Sequence, residues 1–120
     1  MTIRAIRGAT TLEVDEREHL HERTIELVQA MLSENALTAD DLVSVVFTAT
    51  PDISSDFPAA AARALDLGDV PLLCAVEMDV KGALGRVIRV MAHANLDIPR
   101  GEVKHVYLHD AVSLRTDLAQ

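Results

Sequence analysis

Residues 42–49 (LVSVVFTA) form a nearly continuous apolar run that is rich in β-branched side chains. Such a run predicts a buried strand, because β-branched and aromatic residues pack well on a pleated, covered surface. Pro51 and Asp52 follow the run and end the strand. The other segments of the chain are therefore interpreted as neighbours and covering layers of this strand.

Two helices are predicted beside it. Asp15 is placed to cap a long helix that carries an apolar stripe and ends near Asn35. Residues 38–41 predict a short turn of 3₁₀ type, and Phe57 with Pro58 opens a short helix to about residue 65, since proline suits the first helical turn.

Four further strands are predicted, at 2–12, 72–77, 85–94 and 103–108. Residues 85–94 also fit a helical face, but the preceding glycines and the β-branched run favour a strand. The prediction is a single α/β (α+β) domain over residues 1–120, with a mixed sheet of about five strands and two main helices.

Composition excludes several classes of partner. The chain has three aromatic residues, Phe47, Phe57 and Tyr107, and no tryptophan, which argues against a base-stacking platform for single-stranded nucleic acid. The net charge of −8 argues against binding to nucleic acid or to anionic membranes. Acidic residues dominate 13–41, whereas 82–120 holds five basic and four acidic residues, a distribution compatible with a small anionic ligand.

Cysteine usage and hydropathy indicate the compartment. Cys74 is the single cysteine, so an intrachain disulfide is excluded and a reducing compartment is expected. The segment that starts at Met1 lacks the apolar stretch of a signal peptide, and no run approaches 18 apolar residues. We therefore expect a cytoplasmic protein with no membrane segment.

The usual catalytic signatures are weak. Cys74 has no family-specific motif around it, and a structural role is favoured over that of a nucleophile. Five histidines are present, but without a second cysteine or an HExxH pattern a metal site is not expected. The chain also has no GxGxxG and no Walker sequence, so no cofactor is expected.

Arginines inside predicted strands are more informative. Arg7 and Arg89 lie among apolar and β-branched neighbours, where they either face solvent or turn inward towards an anion. Glu77 is a candidate internal partner, and a ligand carboxylate is a candidate external one. Tyr107, the single tyrosine, either packs in the core or offers its hydroxyl to a partner.

The same segments resemble a known family, the monofunctional chorismate mutases of the homotrimeric α/β class. The matching stretches cover the chain in order: 4–11 (RAIRGATT), 48–58 (TATPDISSDFP), 71–80 (PLLCAVEMDV), 87–91 (VIRVM) and 105–118 (HVYLHDAVSLRTDL). The resemblance implies a trimeric pseudo-α/β-barrel with active sites in clefts between subunits. It also implies a C-terminal tail, here 116–120, that is flexible.

The resemblance further implies roles for individual residues. Arg7 and Tyr107 would bind a substrate carboxylate, Arg89 would contact the other carboxylate region and the ether oxygen, and Glu77 would accept a hydrogen bond from the ring hydroxyl. The remaining substrate-binding residues implied are Phe57 and Arg63, on the neighbouring subunit's side, with Leu73, Cys74, Ala75, Val76 and, in the C-terminal segment, Arg115.

The activity implied is the concerted rearrangement of chorismate to prephenate, which feeds phenylalanine and tyrosine synthesis and needs neither metal nor cofactor. Two alternatives stay open from the residues. One is a trimeric imine deaminase of the reactive-intermediate type, which also holds a carboxylate with an interface arginine. The other is a non-catalytic module that binds a small ligand. Fold alone does not separate them.

Overall fold

The computed structural model describes residues 2–117, and its centre is one mixed sheet in the order β3-β2-β4-β1-β5. β4 runs antiparallel to β1 and β2, whereas β3 is parallel to β2 and β5 is parallel to β1. The five-stranded mixed sheet predicted from the sequence is therefore confirmed. The strands are β1 (Ile3–Thr11), β2 (Leu42–Ala49), β3 (Leu72–Val76), β4 (Val87–Asn95) and β5 (Val106–Tyr107).

Helix α1 (Arg17–Glu34) covers one face of this sheet. Alternate residues of the strands, among them Ile6, Phe47 and Val90, are buried on that face against apolar side chains of the helix. Gly8 allows the close approach, because a Cβ atom at this position would collide with the side chain of Met31. The core therefore lies between one helix and one face of the sheet, without tryptophan and with a single buried aromatic ring.

The start of α1 corrects one expectation. Glu16, not Asp15, occupies the N-cap position, and it makes no capping hydrogen bond through its side chain. The Asp15 carboxylate instead accepts hydrogen bonds from the backbone N–H groups of Ser54 and Ser55. Hydrogen bonding to Ser55 first, and to Ser54 second, lowers its pKa. The Asp15 carboxylate therefore binds the distant residues Ser54 and Ser55 and does not cap the helix, which the local sequence pattern had predicted.

The short helix after Phe57 is present in two parts, a 3₁₀ turn (Pro58–Ala61) followed by α2 (Ala62–Leu65). The expected 3₁₀ turn before β2 is also present (Ala39–Asp41). Two more 3₁₀ segments lie near the end of the chain, at Arg100–Glu102 and His109–Asp117.

β5 is shorter than the predicted strand at 103–108, because two residues pair with β1. The reason lies one residue earlier, where the backbone N–H of Arg7 donates to Nδ1 of the His105 ring at 2.9 Å rather than to a backbone carbonyl. The ladder accordingly begins at the pair of Gly8 and Val106.

The other face of the sheet carries the polar side chains. Arg7, Thr48 and Met91 are partly exposed there, and Arg89 is exposed. Among residues 2–117, no helix is long and apolar enough to cross a membrane. Of the expected flexible tail at 116–120, the backbone of 116 and 117 continues the last 3₁₀ segment, and 118–120 lie outside the described residues.

Candidate active site

The open face of the sheet contains a cleft of about 270 Å³ where β1, β2, β4 and β5 meet. Three of the residues expected to bind a ligand, Arg7, Arg89 and Tyr107, line it together. They come from three strands, and the sheet order brings them to one place. The rest of the lining is mostly apolar or small, formed by Gly8, Ala9, Val46, Thr48, Val90, Met91 and Leu114.

Arg89 and Glu77 form an ion pair at the edge of this cleft, with 3.2 Å between Nε of the arginine and Oε1 of the glutamate. The glutamate side chain is 15% exposed and the arginine side chain 46% exposed. The second carboxylate oxygen, Oε2, accepts a hydrogen bond of 2.6 Å from the hydroxyl of Thr48. The predicted partnership of Arg89 and Glu77 is therefore present within one chain.

Several cationic donors remain free on this face. Within residues 2–117, the Arg89 side chain has an ion pair with Glu77 but donates no hydrogen bond, and the guanidinium of Arg7 has no hydrogen-bond or ion-pair partner. A guanidinium that is partly removed from water without an acceptor is costly, and carboxylates are its preferred partners. The cleft can therefore bind a small anion, and a ligand with two carboxylates suits its two arginines.

Positive charge continues beyond Arg7 into a second depression of about 380 Å³ on the same face. Arg4, Arg100, His93 and His105 line it. Burial, and secondarily the charge of Arg7, lower the pKa of His105. The arginines of these two depressions, Arg4, Arg7, Arg89 and Arg100, lie within a chain whose net charge is −8, so the positive potential is local to the open face.

Comparison with known proteins decides the family. The family model described as chorismate mutase type I matches residues 3–118, which is nearly the whole chain. The chain belongs to the type I chorismate mutase family. This confirms the resemblance drawn from the sequence motifs, and neither the imine deaminase nor the non-catalytic module finds support.

Relatives of this chorismate mutase chain match along their whole length. Chorismate mutase AroH of Thermus thermophilus is 50% identical over 117 residues, covering 97% of this chain and 96% of that protein. Chorismate mutase AroH of Bacillus subtilis (strain 168) is 43% identical over 120 residues, covering 99% and 94%. A solved chorismate mutase from Clostridium thermocellum superposes with a TM-score of 0.89 at 41% identity, over 91% and 97% of the two chains.

The other residues implied by the type I chorismate mutase pattern lie away from this cleft within one chain. Phe57 is 71% exposed, and Arg63 lines a separate depression beside α2. Leu73 and Val76 are exposed on the edge strand β3, as is Ala75. The Arg115 side chain is exposed, while its neighbour Leu114 is the one that lines the cleft.

Cys74 points away from the arginines. Its Sγ accepts a hydrogen bond of 3.4 Å from the backbone N–H of Ala59, and its side chain packs against the core under α2. This placement is that of a structural thiol, since no histidine or other base is among its hydrogen-bond partners in the described part of the chain.

Phe57 is held by a polar network. Oδ1 of Asp56 accepts from the backbone N–H of Phe57 at 2.7 Å, while Oδ2 contacts Nε2 of His21 at 2.7 Å and Nε of Arg17 at 3.2 Å. The hydrogen bond with His21, followed by that from Phe57, lowers the pKa of Asp56. The ring of Phe57 is thus exposed, while its backbone is held by the Asp56 carboxylate.

Sequence reasoning missed two polar residues of the cleft region, Thr48 and His105. Threonine is an ordinary strand former, so a single one inside 42–49 carries no functional signal. His105 lies inside the strand predicted at 103–108, but its contact with Arg7 depends on the parallel pairing of β5 with β1. Only the strand order reveals both contacts.

Proposed function

We propose that the cleft between Arg7 and Arg89 is the place where this type I chorismate mutase converts chorismate to prephenate. The observation that carries the proposal is that the two guanidinium groups line one cleft with donors that no group of the described chain satisfies. Chorismate carries two carboxylates, and these supply the missing acceptors.

The reaction is a concerted rearrangement in which one C–O bond breaks while one C–C bond forms. No proton leaves or enters, so the protein needs no nucleophile and no general base for this step. Its contribution is to hold the flexible dianion in the reactive conformation and to stabilise the charge that develops in the transition state. The shape of the cleft and its fixed donors serve these two purposes.

Arg89 acts on the breaking bond. Negative charge grows on the ether oxygen as the C–O bond breaks, and a fixed cation beside that oxygen stabilises the transition state more than the substrate. In the ion pair with Glu77 the Nε atom lies 3.2 Å from the carboxylate, and we assign the terminal nitrogens of the guanidinium to the ether oxygen and a carboxylate. Arg7 and Tyr107 bind a carboxylate, and Glu77 accepts a hydrogen bond from the ring hydroxyl.

The remaining residues complete the site from a neighbouring subunit of a homotrimer. β3 is an edge strand, and an edge strand with exposed apolar side chains is a surface for pairing with another chain. Leu73 is 62% exposed, and Val76 and Phe57 are each 71% exposed. In the trimer, this β3 side of one subunit covers the open face of the next and supplies the wall of its cleft.

We assign Phe57 and Arg63 to that wall and its entrance. The further substrate-binding residues proposed are Leu73, Cys74, Ala75, Val76 and, in the C-terminal segment, Arg115. Cys74 takes part through its place in β3 and not through thiol chemistry, consistent with the contact of its Sγ to Ala59. The enzyme works in the cytoplasm, where its product supplies phenylalanine and tyrosine synthesis.

A direct assay tests the proposal. Purified protein is added to chorismate, the loss of the ultraviolet absorbance of chorismate is followed, and prephenate is identified by chromatography. Arg7→Ala should lose most of this activity, while Lys104→Ala, which removes an exposed cation outside the cleft, should keep it. Equal activity of the two variants would contradict the assignment of the site.

A further inference from the structure

We infer that Thr48 is a positioning residue that holds the carboxylate of Glu77 for the reaction, an assignment that rests on the role proposed above for Glu77. Oγ1 of Thr48 donates to Oε2 of Glu77 at 2.6 Å, and the other carboxylate oxygen, Oε1, lies 3.2 Å from Nε of Arg89. One carboxylate is thus held from two sides, by a hydroxyl and by a guanidinium.

The sheet itself builds this arrangement. Thr48 lies on β2, between β3 and β4, directly opposite Arg89 of β4 on one side and Ala75 of β3 on the other. Glu77 follows two residues after Ala75, so its side chain returns to the same face of the sheet. Its backbone N–H donates to the carbonyl of Ala49 at 2.9 Å, which ties Glu77 to the end of β2.

The hydroxyl has a defined task in this geometry. A threonine hydroxyl has one proton to donate, and here that proton goes to Glu77, so Thr48 faces the cleft as an acceptor. Hydrogen bonds to an ionised group are stronger and shorter than neutral ones. The Glu77 carboxylate, at 15% exposure, depends on this donor because few waters reach it.

Loss of the hydroxyl would change Arg89 as well. Without a donor at Oε2, the Glu77 carboxylate can rotate and take both of its oxygens to the guanidinium, because a bidentate pair is the preferred geometry of arginine with a carboxylate. The terminal nitrogens of Arg89 would then face Glu77 and not the ether oxygen. The expected consequence is a loss of turnover with little loss of substrate binding.

Thr10 provides a matched comparison within the same sheet. It lies on β1, is fully buried, and its hydroxyl has no hydrogen-bond partner in the described part of the chain. Replacing that hydroxyl by a methyl group makes the same chemical change as at Thr48, in a strand of the same sheet but outside the cleft lining. A buried hydroxyl without a partner contributes nothing favourable, so Thr10→Val should not lower stability.

The experiment compares Thr48→Val, Thr48→Ser and Thr10→Val in steady-state kinetics with chorismate. Thr48→Val should lower kcat about tenfold or more, with KM changed by less than about threefold, as expected for a lost hydrogen bond to a charged group. Thr48→Ser, which keeps the hydroxyl, should restore kcat to within about threefold. Thr10→Val should match the wild type. Should Thr48→Val fail to fold, Thr48→Ala serves in its place.

Glu77→Gln separates failure of this inference from failure of the proposed site. In the Glu77→Gln background, the effect of Thr48→Val should shrink to about twofold or less, because residues that act through one another are not additive. Full turnover of Glu77→Gln would overturn the role of Glu77 itself. An impaired Glu77→Gln beside a Thr48→Val variant with normal kcat would overturn the role of Thr48 alone, as would failure of serine to restore kcat.

Discussion

Arg89 makes an ion pair with Glu77 in which Nε lies 3.2 Å from the carboxylate, and its side chain donates no hydrogen bond to any group among residues 2–117. A planar group with several donors in fixed directions can face Glu77 with one nitrogen and the substrate with the others. A lysine at this position has three donors on a single nitrogen, so it does not reproduce the planar group that reaches Glu77 and the substrate from separate atoms. The residue type, and not only its charge, is therefore part of the proposed site.

Arg89→Ala should lower turnover by about 10²–10³ or more, the typical cost of removing one preorganised donor from a developing oxyanion, while the protein stays folded. Lysine should restore turnover only in part. Steady-state kinetics and prephenate binding measure the two effects, and binding should weaken far less than turnover falls. Normal kcat with a raised KM would instead make Arg89 a uniform binding group and contradict the electrostatic role.

Cys74→Ser should keep most of the turnover, because the thiol bonds to the backbone of Ala59 and faces away from the arginines. A serine hydroxyl can accept the same hydrogen bond, although burial of a more polar group should lower the melting temperature slightly. Chorismate turnover and thermal unfolding check both points. Complete inactivation of a folded variant would reveal covalent chemistry at the thiol.

At the scale of elements, periodic and apolar segments were predictable and long-range contacts were not. β2 was predicted over 42–49, its observed extent, because eight largely apolar residues before Pro51 leave little choice. The cap of α1 was predicted wrongly, because Asp15 binds the backbone of residues 54 and 55. Local sequence does not show that these two loops meet.

In the candidate site, too, some residues were predictable from the sequence and others were not. Charged residues inside apolar strands gave a signal, since burying charge demands a partner, and it made Arg7, Arg89 and Glu77 candidates, while their roles came from the resemblance to the family. Thr48 gave no such signal, because its contact with Glu77 depends on β2 lying between β3 and β4. The order of the strands determines which residues of different strands become neighbours, and this order cannot be derived from a single sequence.

The junction of β5 with β1 should make stability depend on pH. Nδ1 of His105 accepts from the Arg7 N–H only when it carries no proton, and the pKa of His105 is lowered in the folded protein, by burial first and by Arg7 second. As the pH falls, His105 is therefore protonated in the unfolded chain at a higher pH than in the folded protein. The contribution to stability is present above the unfolded pKa of about 6.5 and is lost as the pH falls from there to the folded pKa.

His105→Gln isolates this contribution, since the glutamine carbonyl can accept the same hydrogen bond without titrating. Urea unfolding at about pH 7.5 and about pH 5.5 gives the free energy of unfolding on both sides of the histidine range. The decrease on acidification should be smaller in the variant than in the wild type. An equal decrease in both proteins would show that His105 does not carry it.

The whole molecule is asymmetric about its sheet. One face is covered by α1, whose outer surface carries glutamates, and the other face leaves Arg7, Thr48 and Arg89 partly or fully exposed. The net charge of −8 belongs to the chain as a whole and does not describe the cleft, which is lined by Arg7 and Arg89. A second layer over the open face would exclude water and strengthen the electrostatic interactions within the cleft.

That second layer is the basis of the last prediction, a homotrimer. Exposed apolar side chains on an edge strand, such as Leu73 and Val76, favour association with another copy, and a contact between different surfaces closes into a ring when the rotation allows it. Analytical ultracentrifugation should give about 39 kDa, three times the 13.0 kDa of the chain. Leu73→Asp should dissociate the trimer and remove activity together, whereas Leu73→Met, which stays apolar at the same site, should preserve both. A stable and fully active monomer would contradict the trimer and, with it, the wall that β3 and Phe57 are proposed to supply.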